Sequence, residues 1–327
     1  MSEGFVLPNH TQVEFGIGTL SSVDGDRLAV VKGDRVMALA DICARFRPPA
    51  APPSSMRDLL AYWDTWHDWL RSLPREREHE VSSQPVDAVR FKAPVPDPQN
   101  IFQTYHNFDR PNRVTGAIDP PKAERYIPDI FLGSRSALAG HGDVVYIEQG
   151  GAQFDFEIEV TAVVGKAAHR VPVERAEDFV AGYAIANDFT MHQAWWQRYR
   201  AHTPIPDIIR MKNFPGYTPM SRVIVPRDLV GDPRQLSVRT WVGDELRQDT
   251  RTDKMLWSVA ELLSYLSWIM PLIPGDLILC GSPEELPPRS GKSKGVRAGE
   301  RVICEVERLG SLSNRVELQE VRNPWER

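Results

Sequence analysis

The sequence predicts an α+β protein, and three observations support this fold class. Apolar and acidic residues alternate strictly from Phe154 to Val160, which is the period of a half-buried strand. Short β-type runs occur near both ends of the chain, at 12–39 and 302–320. Two other segments, 56–73 and 253–270, carry apolar residues at helical spacing. The chain is therefore expected to combine β-sheet with a few helices.

In chain order, the first elements are three short strands followed by a helix. Ser54 or Ser55 is expected to begin that helix at about Met56, and Pro74 to end it. The later helix, from about Asp253, is expected to end before Pro271. A closing hairpin turns around Gly310. The expected N-terminal strands are Gln12–Phe15, Leu28–Lys32 and Val36–Leu39.

Composition excludes several classes of partner. The net charge of −5 over 327 residues gives no basic footprint for nucleic acid or for an anionic membrane. Cys43, Cys280 and Cys304 are widely spaced, which is typical of reduced thiols and not of a disulfide framework. No secretory signal pattern and no apolar run of membrane-spanning length is found. A soluble, cytoplasmic protein is expected.

The alternating stretch places Asp155, Glu157 and Glu159 on one face of a strand. A second apolar run, 182–186, reads as a strand and delivers Asp188 at its end. Like charges this close are stable only if a cation or a shared proton relieves their repulsion. Oxygen ligands without a nearby cysteine favour a hard cation over zinc. The alternative is a strand whose polar face is simply solvated.

The amino-acid sequence of these segments resembles that of the fumarylacetoacetate hydrolase family. The similarity runs in the same order over most of residues 95–320. It is carried by DFEIEVTAVVG with VAGYAIANDFT, by RMKNFPGYTPMSRVIV, by QDTRTDKMLWSVAELLSYLSWIMPLIPGDLILCGSP, and by GVRAGERVICEVERLGSLSNRVE.

The resemblance implies a fold and a function. The expected fold is a mixed β-roll or β-sandwich catalytic domain, residues 86–327, behind a small β-rich N-terminal domain, residues 1–85. The expected partners are a small oxo-acid substrate and a second copy of the chain in a homodimer. The expected activity is divalent-metal-dependent hydrolysis of a carbon–carbon bond in a 1,3-diketo acid or acylpyruvate, through a stabilised enolate. Mg²⁺ is the expected ion, with Mn²⁺ and Ca²⁺ as alternatives.

The resemblance also assigns site residues. The metal ligands would be Glu157, Glu159 and Asp188. Lys212 would contact the bound substrate and stabilise developing negative charge. The candidate substrate contacts are Arg135, Tyr199, Gly281 and Ser282.

The general base is the point where the chain departs from the family. Shorter members carry a His-x-x-Glu pair that activates water, but Pro111 and Val114 stand at those places here. His106 and His192 are the candidate replacements, since an imidazole accepts a proton near neutral pH. The missing pair strengthens the alternative of a lyase or isomerase, such as a decarboxylase, hydratase or tautomerase. A metal-binding homologue without catalysis is the third alternative.

Overall fold

The computed structural model of the chain describes residues 12–108, 127–147, 154–191, 208–286 and 295–320. Its helices are α1 (Leu39–Arg45), α2 (Met56–Ala61), α3 (Trp63–Ser72), α4 (Val173–Ala176), α5 (Ile208–Lys212), α6 (Arg227–Val230) and α7 (Val259–Ile269). Its strands are β1 (Val13–Leu20), β2 (Arg27–Gly33), β3 (Arg35–Ala38), β4 (Gln84–Pro85), β5 (Ile101–Tyr105), β6 (Asp129–Leu132), β7 (Leu138–Ala139), β8 (Val144–Ile147), β9 (Phe154–Asp155), β10 (Ile158–Val164), β11 (Val180–Asn187), β12 (Thr190–Met191), β13 (Thr218–Pro219), β14 (Val223–Pro226), β15 (Ser237–Val242), β16 (Glu245–Arg251), β17 (Leu277–Leu279), β18 (Arg301–Val306) and β19 (Gly310–Leu318).

One large mixed sheet organises the described residues, with strand order β4-β3-β2-β1-β14-β11-β10-β17-β5-β6. A second sheet has the order β16-β15-β18-β19-β8. Most neighbouring strands are antiparallel, whereas β17 is parallel to β5 and β19 is parallel to β8. The predicted α+β class is confirmed, and the hairpin of β18 and β19 turns at Gly310 as expected.

The N-terminal strands belong to the large sheet, because β1 pairs with β14 at Ile17–Ile224 and Gly18–Val223. Helices α2 and α3 pack on one face of this sheet, where Leu59 and Trp66 share a buried cluster with Val163. The division into domains at residues 85 and 86 stays a prediction.

Both long predicted helices are shorter in the structure. The first is interrupted at Tyr62, whose backbone (φ −125°, ψ 38°) leaves the helical region and separates α2 from α3. The second begins at Val259 because Ser258 and Glu261 form a reciprocal capping box. The three residues Thr252–Lys254 instead form a 3₁₀ turn.

The prediction that the acidic strand is half-buried is wrong. Every residue of β10 is buried, and the regular strand is interrupted between β9 and β10. Val160 and Ala162 pack with α7 residues such as Leu262 on one face, while Val163 faces the N-terminal helices on the other. The acidic residues of the alternating stretch are therefore directed into the protein, where Asp155 and Glu159 are buried and Glu157 is partly buried.

Two further predictions concern the cysteines and the possibility of membrane-spanning helices. Cys43, Cys280 and Cys304 are all free thiols in the structure. Among the helices of the described ranges, none is long and apolar enough to cross a bilayer.

Candidate metal centre and active site

The acidic cluster is assembled by the pairing of β10 with β11. In this antiparallel ladder Ile158 lies opposite Asn187, and Glu159 lies opposite Ala186. The ladder continues past its regular end, because the Asp188 N–H donates to the Glu157 carbonyl at 2.7 Å. Two chain segments that are distant in sequence thus hold their acidic residues side by side.

The structure brings together the three predicted metal ligands. One carboxylate oxygen from each of Glu157, Glu159 and Asp188 lies within 4.8 Å of the other two. Glu159 and Asp188 are almost fully buried, with 2% and 1% of their surface exposed. Asp155, which precedes the interruption in the strand, is not part of this group.

Lys212, at the end of α5, contributes a buried ammonium group to the cluster. Its Nζ donates to Glu157 Oε2 at 2.7 Å, to Asp188 Oδ2 at 2.6 Å and to the Asp188 carbonyl at 3.1 Å. Only 3% of the residue is exposed. The predicted substrate-contacting lysine is therefore in direct contact with two of the three predicted ligands.

The pKa values in the cluster indicate an excess of buried negative charge. Burial, followed by repulsion from Asp188, raises the pKa of Glu159 well above its ordinary value. Burial likewise raises the pKa of Asp188 to about 6, although Lys212 acts in the opposite direction. Burial alone would lower the pKa of Lys212, but Asp188 and Glu157 raise it overall. The ammonium stays charged and does not fully compensate the carboxylates.

These observations fit a hard divalent cation. The donor set consists of carboxylate oxygens, which Mg²⁺, Mn²⁺ and Ca²⁺ prefer. A cation among the three groups would also stabilise the ionised forms that burial disfavours. Glu157, Glu159 and Asp188 are the residues that would hold it.

The loop after β17 contacts the cluster through its backbone. The Gly281 N–H donates to Glu159 Oε2 at 2.5 Å. Gly281 has φ +83°, and a Cβ at this position would lie 2.7 Å from Asn107 Cβ. Both the backbone conformation and the close approach therefore require glycine. This predicted substrate contact uses its N–H to orient a predicted metal ligand.

Two other predicted substrate contacts are Ser282, which follows Gly281 in the same loop, and Arg135, whose turn contacts the segment that carries Lys212. Ser282 is buried, and its Oγ accepts a 3.4 Å hydrogen bond from Gln248 Nε2. Arg135 is exposed on a short 3₁₀ turn. The preceding residue, Ser134, donates its N–H to Asn213 Oδ1 at 2.6 Å, which ties this turn to the segment that carries Lys212.

Of the two candidate bases, the structure describes His106. Its backbone is in the left-handed region at φ +51°, and its ring stacks on Tyr105 with centroids 3.6 Å apart. It lies next to Asn107, which touches the Gly281 loop. His192 and Tyr199 lie outside the described residues, as do Pro111 and Val114.

Three amide side chains of the site were not predicted. Gln103 Nε2 donates to Asp188 Oδ1 at 2.5 Å, and Asn187 Oδ1 accepts from the Glu157 N–H at 2.9 Å. Asn107 donates to the Cys280 and Trp257 carbonyls and accepts from the Trp257 N–H. A polar residue inside the apolar run of β5 was the available signal for Gln103.

The fold and this cluster together define an α+β protein with a buried, oxygen-lined site suited to a divalent cation. The family model described as fumarylacetoacetate (FAA) hydrolase C-terminal matches residues 100–317, which is most of the chain. The chain belongs to the fumarylacetoacetate hydrolase family, whose members are enzymes, and its fold is the fold of that family.

Curated relatives carry several activities. A 4-hydroxyphenylacetate degradation bifunctional isomerase/decarboxylase of Escherichia coli is 35% identical over 59% of this chain, and the match spans only 42% of that enzyme. A maleylpyruvate hydrolase of Aquipseudomonas alcaligenes is 26% identical over 88% of this chain and 95% of that enzyme. An oxaloacetate tautomerase of Bacillus subtilis (strain 168) is 28% identical over 88% of this chain and 94% of that protein.

Solved structures agree on the fold. A maleylpyruvate hydrolase from Sphingobium sp. SYK-6 has a TM-score of 0.70 and 25% identity, covering 92% of this chain and 100% of its own. A second structure of that hydrolase, in complex with manganese (II) ion and pyruvate, has a TM-score of 0.71 and 23% identity, with the same coverage of both chains.

Proposed function

We propose that this protein is a divalent-metal-dependent hydrolase that cleaves a carbon–carbon bond in an acylpyruvate or related 1,3-diketo acid. The observation that carries the proposal is the convergence of Glu157, Glu159 and Asp188 with the ammonium of Lys212 in a buried site. The manganese and pyruvate in the structure of the related hydrolase support it, since pyruvate is a 2-oxo acid.

Cleavage of an acylpyruvate by water gives pyruvate and a carboxylic acid. The water oxygen bonds to the acyl carbon, the bond from that carbon to the pyruvate methylene breaks, and the electron pair leaves as the pyruvate enolate. A proton then returns to the methylene carbon. The bound divalent ion would act as a Lewis acid toward the substrate's oxo group and carboxylate.

The residues of this chain have separate tasks in the proposed reaction. Lys212 is fixed by three hydrogen bonds, so its positive charge is preorganised for the enolate that accumulates as the bond breaks. Burial of the site makes this electrostatic interaction stronger than it would be in water. Gly281, whose N–H donates to Glu159, and its neighbour Ser282 are the proposed contacts to the substrate, together with Arg135 and Tyr199. His106 or His192 is the proposed acceptor of the water proton.

A second candidate function is tautomerisation or decarboxylation of an oxo acid such as oxaloacetate. It requires enolate stabilisation and no hydrolytic water. Two observations favour it: Pro111 and Val114 stand where shorter family members carry the water-activating pair, and relatives include a tautomerase and isomerase/decarboxylases.

The test is turnover by purified protein that has been freed of metal and reloaded with Mg²⁺ or Mn²⁺. With an acylpyruvate, the proposal predicts loss of the enol absorbance and release of two acids in equal amounts. Faster enol–keto exchange or carbon dioxide release from oxaloacetate, without cleavage of acylpyruvates, would support the second function. Metal binding without turnover of any diketo or oxo acid would contradict both.

Single substitutions distinguish residues of the predicted site from exposed residues of the same type. Glu159→Gln removes one predicted ligand charge and is expected to abolish metal-dependent turnover. Glu174→Gln makes the same change on an exposed side chain of α4 and should leave turnover intact. His106→Ala and His192→Ala each test one base, and unchanged rates in both would refute the assignment of a histidine base.

A further inference from the structure

Gln103 is a buried amide placed against one oxygen of a predicted metal ligand. It lies in β5 with 1% of its surface exposed. Its Nε2 donates to Asp188 Oδ1 at 2.5 Å. Burying an amide is costly unless it is hydrogen-bonded, so this contact is the compensating interaction that the described residues provide.

The backbone around Gln103 is held on both sides. In the large sheet Gln103 lies opposite Leu279 of β17 and opposite Phe131 of β6. Gly133 provides room for the end of the side chain, because a Cβ there would lie 2.6 Å from Gln103 Oε1. The amide therefore approaches Asp188 from a fixed element and within a confined space.

The two oxygens of Asp188 are held by groups of different kinds. Oδ2 accepts from the Lys212 ammonium at 2.6 Å, and Oδ1 accepts from the neutral Gln103 amide. A divalent cation competes with the Lys212 ammonium for the negative charge of the Asp188 carboxylate, because both are positively charged groups that bind its oxygens. The amide carries no charge for the cation to repel, and hydrogen bonds of this kind commonly orient ligating carboxylates.

We propose that Gln103 is a positioning residue that makes Asp188 a one-oxygen ligand and thereby favours Mg²⁺ and Mn²⁺ over Ca²⁺. The inference rests on the metal centre of the proposed function. Mg²⁺ requires a near-ideal octahedron, in which a carboxylate supplies a single oxygen. Ca²⁺ accepts six to eight oxygens and readily takes both oxygens of one carboxylate. Holding Oδ1 against the sheet removes that second oxygen.

The experiment is calorimetric titration of metal-free protein with MgCl₂, MnCl₂ and CaCl₂. Gln103→Met keeps the length of the side chain and removes its hydrogen-bonding groups. We expect its Mg²⁺ and Mn²⁺ affinities to fall by about 10-fold or more, as is typical when such a partner is lost. Because Asp188 is then free to offer both oxygens, the Ca²⁺ affinity should fall less or rise. The Ca²⁺/Mg²⁺ affinity ratio should therefore increase by about 10-fold.

Two further variants complete the design. Thr104→Val alters the next residue of β5, whose buried hydroxyl donates to the Leu279 carbonyl at 2.7 Å, and should keep the wild-type ratio. Gly133→Ala leaves Gln103 chemically intact but places a methyl group against its Oε1. Gly133→Ala should raise the Ca²⁺/Mg²⁺ affinity ratio, as Gln103→Met does. If Gln103→Met does not fold, the ratio measured for Gly133→Ala tests the role of Gln103 in its place.

The outcomes distinguish this inference from the proposed function. Wild-type protein that binds none of the three ions would overturn the metal centre itself. Wild-type binding with an unchanged ion ratio in Gln103→Met would overturn the role of Gln103 alone. An equal loss of affinity for all three ions would also overturn it, because a purely structural residue gives that result.

Discussion

Replacement of Lys212 by methionine should destabilise the metal-free protein strongly and make its stability depend on metal. The ammonium is 3% exposed and donates to Glu157 Oε2 at 2.7 Å and to Asp188 Oδ2 at 2.6 Å. Removing one partner of a buried ion pair leaves uncompensated charge and costs about 3–5 kcal/mol. We expect a loss of this size in the free energy of unfolding, measured by urea denaturation at pH 8 with EDTA.

Saturating Mn²⁺ should restore part of that loss, since the divalent ion takes over as the compensating charge. At a free concentration of about 100 times the Kd, binding to the folded state alone adds about 2.7 kcal/mol. At the same free Mn²⁺ concentration, the gain should be larger for Lys212→Met than for the wild type, because the wild-type ammonium competes for the same oxygens and weakens Mn²⁺ binding.

Lys166→Met is the matched control for this prediction. Lys166 pairs with Asp64 at 2.7 Å, but the two side chains are 45% and 63% exposed, so the same substitution should cost no more than about 1 kcal/mol. Two results would refute the reasoning that the cluster carries excess negative charge. One is that Lys212→Met lowers the free energy of unfolding in EDTA as little as Lys166→Met does. The other is that Mn²⁺ stabilises Lys212→Met no more than the wild type.

Two further predictions test the surroundings of the cluster, and a third tests the three free thiols. Gly281→Ala should weaken Mn²⁺ binding measured by calorimetry, because the new Cβ meets Asn107 Cβ at 2.7 Å and displaces the N–H that orients Glu159; unchanged affinity would contradict it. Asn107→Ala should lower the free energy of unfolding by about 2–4 kcal/mol, since it leaves buried backbone groups unpaired, and a loss below about 1 kcal/mol in urea would count against it. Burial raises the pKa of Cys43 to about 11 and those of the other two thiols further, so a disulfide reagent at pH 8 should label the native protein slowly and the unfolded protein at three sites. The three thiols are Cys43, Cys280 and Cys304. Rapid labelling of the native protein would contradict the prediction.

The acidic residues of the site were predictable because their signals are local. Glu157 and Glu159 lie in a segment of clear apolar and acidic alternation, and Asp188 directly follows an apolar run. The pairing of β10 with β11 is then sufficient to bring these three acidic residues together. The resemblance to the family added Lys212, whose position in a short helix gives no local sign of its contact with the carboxylates.

The supporting residues could not be predicted, because their roles arise from pairings between distant segments. Gln103 meets Asp188 across 85 positions of sequence, and Asn107 reaches the Cys280 carbonyl across 173. No periodicity within one strand encodes such contacts. The burial of β10 on both faces was missed for the same reason, since it depends on helices packed from both ends of the chain.

The most direct test of a divalent-cation site at this cluster is anomalous X-ray diffraction from crystals soaked in MnCl₂. A single strong manganese peak within ligand distance of one oxygen each from Glu157, Glu159 and Asp188 is the predicted result. A peak bound elsewhere, or none at this cluster at saturating Mn²⁺, would contradict the proposed metal centre and the chemistry that depends on it.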